Sequence, residues 1–116
     1  LAGAFDSLGQ EQQAEPLYRA ALKGGLDPYR RRQAVIQHAS TLRNLGRAAE
    51  AVALLHHERG EPPDDLSDAV AAFLALALFD AGEPREALAV ALNALAPHLP
   101  RYQVSLASYA RALIPP

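Results

Sequence analysis

Apolar side chains recur at helical spacing along most of this chain, and the recurrence repeats itself. With Gly9, Gly46 and Gly82 in one column, DSLGQEQQAEPLYRAAL, RNLGRAAEAVALLHHER and FDAGEPREALAVALNAL align without a gap, at intervals of 37 and 36 residues. Ala2, Ala39 and Ala75 stand seven positions before the glycine, and Phe5, Leu42 and Leu78 four before it. Ala14, Ala51 and Ala87 follow five positions after, and Leu17, Leu54 and Val90 eight after. The positions before the glycine share one face of a helix, and those after it share one face of a second. Alanine on facing stripes lets two helices approach closely, and glycine permits the positive φ that ends the first. Each unit therefore reads as an antiparallel helical hairpin.

The pattern predicts helices near 1–8, 11–23, 29–45, 47–59, 65–81, 83–96 and 101–113. Pro84 falls at a helix start, where its missing donor costs little. Pro16 falls inside the second helix, which it should kink. In the last helix Tyr102, Leu106, Tyr109 and Leu113 follow at spacings of 4, 3 and 4, predicting a cap that lays this face over the third unit. The short leading helix of the first unit, and an opening at Leu1 rather than methionine, suggest residues upstream.

The arrangement resembles the tetratricopeptide repeat (TPR), on Gly9, Ala14, Tyr18, Ala21 and Leu22 in the first unit, Gly46, Ala51 and Pro63 in the second, and Gly82, Ala87, Ala94 and Leu95 in the third. The resemblance covers almost the whole chain. It implies an all-α fold of antiparallel hairpins stacked as a short right-handed α-solenoid. That gives a single domain, 1–116, with units of about 1–28, 29–63 and 64–100 and a capping helix at 101–114. The period exceeds the usual 34 residues, and the extra length fits the connectors GGLDP and RGEPPDD. Glu58 and Arg59 stand where the family prefers alanine and an apolar residue, which predicts looser packing at the end of the second hairpin.

Composition narrows the function classes. The formal charge of −2 and a pI near 6.1 give no general field toward nucleic acid or anionic membrane. The chain has no cysteine, which removes disulfides, thiolate metal sites and cysteine nucleophiles. The longest apolar run, Ala69 to Phe79, is too short to cross a bilayer. Ten arginines against the single Lys23, with abundant alanine and leucine, suit a GC-rich bacterial source. A cytoplasmic location is the expectation.

Candidate chemistry is sparse. His56 and His57 diverge by about 100° on a helix and cannot chelate one ion as an i, i+4 pair can, and zinc would need further ligands; the expectation is no metal and no cofactor. His38, between Val35 and Leu42, is expected to fill a core position. No serine lies in a GxSxG-type turn and no phosphate-binding glycine loop occurs, so no catalytic residue is expected. Arg30, Arg31 and Arg32 open a helix, where positive charge opposes the macrodipole; pairing with carboxylates such as Asp27, or solvation, is the expected state.

The resemblance directs attention to the leading helices, which in this family line a concave groove for a protein or peptide. The groove residues expected are Gln33, Gln37, Ser40, Arg43 and Asn44 from the second unit, and Ala72, Phe73, Leu76 and Asp80 from the third. The matching places for a chaperone-tail carboxylate clamp hold Gly3, Gln37, Ala69 and Phe73, so that specialisation is not expected. The helix holding Ala69 to Phe79 is apolar almost all round. The reading favours its burial, with an exposed patch at Phe73, Leu76 and Phe79 as the alternative. The expected function is non-catalytic protein or peptide binding, without nucleic acid or membrane. The alternative is homo-oligomerisation through the third unit and the C-terminal helix. A histidine-based metal or catalytic role stands third.

Overall fold

The computed structural model describes residues 27–115. Five helices follow one another: α1 (Pro28–Asn44), α2 (Ala48–Arg59), α3 (Ser67–Asp80), α4 (Pro84–Leu95) and α5 (Gln103–Ala112), with a 3-10 turn at Ala96–His98 before the last. No strand occurs among the described residues. The helices expected from residue 28 onward are all present, with ends displaced by a residue or two. Those expected at 1–8 and 11–23, with Pro16 and the Gly9 turn, lie outside the described residues.

Each boundary has a local cause. The Asp27 carboxylate accepts the Arg30 amide at 2.9 Å, and Pro28 occupies the first turn, so α1 begins with a capped, preset end. Its other end closes at Gly46, whose φ of 80° is reached without a Cβ clash. There the Arg47 amide donates to the Leu42 carbonyl at 2.8 Å and the Gly46 amide to Arg43 at 3.0 Å, the paired bonds of a Schellman turn. At Gly82, φ is 87°, and Glu83 donates to Leu78 and Gly82 to Phe79 at 2.9 and 3.1 Å. The repeated glycine therefore performs the same backbone task twice.

A Cβ added at Gly46 would meet nothing within 4 Å, so the cost of a side chain there is conformational. Gly46→Ala is expected to lower stability by roughly 1 kcal/mol in urea unfolding. Gly46→Asn should lose less, because asparagine tolerates the left-handed region.

α1 packs antiparallel to α2, and α3 to α4, while α3 also lies against both α1 and α2. The core is built from the repeated columns: Ala39, Leu42 and Ala51 from the first described hairpin, and Leu78, Ala87 and Val90 from the second are all buried, with Leu55 and Leu74 beside them. His38 is buried among them, as expected of a core position.

α5 rests on α4 and on the Ala96–His98 turn. Its N-terminus is tied to that turn by the Gln103 side-chain amide, which donates to the carbonyls of Pro97 and Leu99 at 3.0 and 2.7 Å. The face it buries differs from the expected one. Ala110 is buried and Leu106 and Leu113 half-buried, whereas Tyr102 and Tyr109 are exposed. Leu106, Ala110 and Leu113 are also spaced 4 and 3, and alanine at the centre lets α5 come closer to α4 than a tyrosine would allow.

Candidate partner-binding face

The direct contact of α1 with α3 sets the two leading helices side by side. Gln33, Gln37 and Asn44 are exposed along α1, with Ser40 and Arg43 half-buried between them. On α3, Phe73 is half-buried against the core, while Ala72, Leu76 and Asp80 are exposed. The two rows are joined where the helices end: Arg43 Nε donates to Asp80 Oδ2 at 2.5 Å. Two residues expected to meet a partner separately thus neutralise each other across the helix pair. The face is polar on its α1 side and apolar on its α3 side.

The expected burial of α3 is not what the structure shows. Leu76 and Phe79 stand 44% and 65% exposed, because α5 packs on α4 instead of returning across α3. The apolar helix is covered on the side of Val70, Ala71, Leu74, Ala77 and Leu78 and open on the other.

The expected looseness at Glu58 is also overturned. Glu58 is 1% exposed and Arg32 2%. Arg32 Nε donates to Glu58 Oε2 at 3.0 Å, Arg32 Nη1 to Asp64 Oδ1 at 2.9 Å and Arg32 Nη2 to the carbonyls of Glu58 and Pro62 at 3.2 and 3.1 Å. Arg31 clasps the same Glu58 carboxylate with both terminal nitrogens. Of the arginine run only Arg30 turns to Asp27, at 3.7 Å; the other two cross to α2 and to the connector before α3. Burial works against the charge on Arg32, but the hydrogen bonds and charges of Glu58 and Asp64 outweigh it and hold the guanidinium above its ordinary pKa. Asp64 and Ser67, both bonded to Arg32, also form the turn that opens α3.

The sequence missed this network, yet it carried a signal: Glu58 sits twelve residues after Gly46, in the column held by Ala21 and Ala94. A carboxylate in a column where the other repeats carry alanine calls for a cation, and the run at 30–32 was the one nearest the facing helix.

The histidines do not converge. His56 Nε2 lies 3.4 Å from Glu86 Oε2, exposed His57 points elsewhere, and His98 Nε2 lies 2.7 Å from Asp68 Oδ2, linking the 3-10 turn to the start of α3. Among the described residues no three histidine, aspartate or glutamate side chains come together in a way that could hold a metal ion, and no helix is long and apolar enough to cross a membrane.

The stacked hairpins, their paired glycine turns and the abutting leading helices match what a comparison with family models returns: the tetratricopeptide repeat model covers residues 1–113. The chain belongs to the tetratricopeptide repeat family. Such repeats generally serve protein–protein interaction and are generally non-catalytic. No curated protein and no solved structure matches the chain significantly. The family thus carries the fold and the general role, and a partner must be argued from the surface.

Proposed function

We propose that this tetratricopeptide repeat chain is a non-catalytic interaction module that receives a protein or peptide across its leading helices, along Gln33, Gln37, Ser40, Arg43 and Asn44 of α1 and Phe73, Leu76 and Asp80 of α3. The observation that carries the reading is the α1–α3 contact, with exposed side-chain amides on α1 beside exposed Leu76 and half-buried Phe73 on α3. Amides that both donate and accept suit a peptide backbone, and Leu76 and Phe73 suit its apolar side chains. The Arg43–Asp80 pair holds the two rows in register and leaves little net charge at that end.

Arg43 is a poor site for the test, because its loss would also cut the tie between α1 and α3. Gln37 is exposed and clear of the core. Gln37→Arg is expected to reduce capture of a partner from a lysate of the source cells by about tenfold while stability stays within ~0.5 kcal/mol. Equal recovery by variant and parent, with helicity unchanged, would sink this reading.

Self-association is the second reading, favoured by a surface that shares Leu76 with that face: on the α3–α4 hairpin Leu76, Phe79 and Leu88 stand exposed together.

A further inference from the structure

The 36-residue register that lays Gly46 on Gly82 also lets the two described hairpins be compared position by position. On the first, Ile36, Ala39, Ala51 and Leu55 are buried, and α3 lies against both of the helices that carry them. Their counterparts on the second are Ala72, Ala75, Ala87 and Ala91; Ala87 alone is buried, and Ala72 and Ala91 are exposed. Ser40, Arg43 and Val52, all half-buried on the first hairpin, correspond to Leu76, Phe79 and Leu88, which are 44%, 65% and 49% exposed. The seat that α3 takes on α1–α2 recurs on α3–α4, more apolar than the original and uncovered. α5 does not fill it, since its packing is against α4 and the 3-10 turn.

We infer that this seat is where two copies of the chain associate, the α3–α4 hairpin of each taking the place that a further leading helix would take on the other. The inference rests on the self-association reading and gives it a surface and a mode. A two-fold contact sets a surface against itself, so it must be free of like-charge opposition and self-complementary in relief. The seat meets both conditions. None of its lining residues is charged, and the nearby Asp80 is already paired with Arg43. Leu76, Phe79 and Leu88 project, while Ala72, Ala75 and Ala91 leave hollows between them, so rotation places the projections of one copy over the alanines of the other. The contact also continues an interface the chain already makes within itself, where α3 rides on α1 and α2. α5 offers no equal: Val104 and Tyr109 lie about 140° apart around the helix, and Tyr102, exposed like Tyr109, precedes the helix with a left-handed backbone.

Sedimentation velocity of the full chain from micromolar to sub-millimolar concentration tests this, with Leu76→Glu/Leu88→Glu as the variant. The parent is expected to form a dimer and the variant to associate at least about a hundredfold more weakly, with the same helicity. Because the chain has no cysteine, mixing L76C chains with A72C, A75C or A91C chains supplies a check that does not depend on weakening the fold: mild oxidation should give a covalent dimer joining the two kinds of chain in at least one mixture. A parent that stays monomeric throughout overturns self-association and the inference together. A dimer that persists in the L76E/L88E variant and dissociates in Tyr102→Ser/Tyr109→Ser leaves self-association standing and overturns this seat.

Discussion

Glu58→Ala is expected to destabilise the protein by about 3–5 kcal/mol, measured by urea unfolding followed by circular dichroism. The side chain lost is small, but its removal leaves Arg32 charged, nearly inaccessible to water and deprived of the carboxylate bound at 3.0 Å. Arg31 loses its partner too, at smaller cost, since it is partly exposed. The carbonyls of Glu58 and Pro62 and the Asp64 carboxylate still hold Arg32, so the expected result is a weakened fold and not an unfolded chain. Replacing Arg32 and Glu58 together with methionine and leucine should cost much less than either single loss, because desolvation of both charges then disappears with their attraction. Equal costs for the double and the single changes would show that the pair contributes through packing alone. The Arg32 share has a definite pH sense. A guanidinium held above its ordinary pKa in the folded state gives stability that is fully present below the ordinary arginine range and is lost only as the pH rises beyond it. Through neutral and mildly alkaline pH, titration of Arg32 should leave the unfolding midpoint unmoved.

What could be read in advance follows from whether a feature is periodic. Gly46 and Gly82 were legible because a positive φ demands one residue type and the demand recurs every repeat. Leu42, Leu78, Ala51 and Ala87 were legible because helix geometry forces their spacing. Glu58 was misread because it breaks its column, and a rule for the column says only that a charge is out of place; the partner lies 26 residues earlier on another helix. α5 was misread because Tyr102–Leu106–Tyr109–Leu113 and Leu106–Ala110–Leu113 are both acceptable helical stripes, and only close approach to α4 chooses the one with alanine at its centre. The openness of Leu76 and Phe79 has the same origin: once α5 settles on α4, no described helix covers that side of α3. On the partner-binding face the residues of α1 and α3 could be picked out by position, but the Arg43–Asp80 bond that joins them depends on a helix–helix distance that no single-chain spacing states.

Leu74→Ala is expected to cost about 3 kcal/mol, the second largest loss for a single side chain here. Leu74 is fully inaccessible, on the covered side of α3 with Val70 and Leu78. α3 is the helix shared by the two described hairpins: it packs on α4 within its own hairpin and on α1 and α2 of the one before. A cavity there weakens the internal packing of one hairpin and the contact between them at once. In a stacked array, stability is close to a sum of hairpin terms and neighbour terms, so a change that touches both should spoil the cooperativity of unfolding as well as its midpoint. Leu42→Ala, similarly buried but lining a hollow formed by α1 and α2 alone, should lower the midpoint by a similar amount and keep the transition steep. The comparison is made by urea unfolding read at two places: far-ultraviolet ellipticity for all helices, and hydrogen exchange of the α1 and α4 amides for each hairpin. In the Leu74 variant the α4 amides should open at a lower denaturant concentration than those of α1, where Arg32 and Glu58 still bind the hairpin. Coincident opening of both, with an unchanged slope, would mean that the described hairpins unfold as one unit and that Leu74 contributes volume alone.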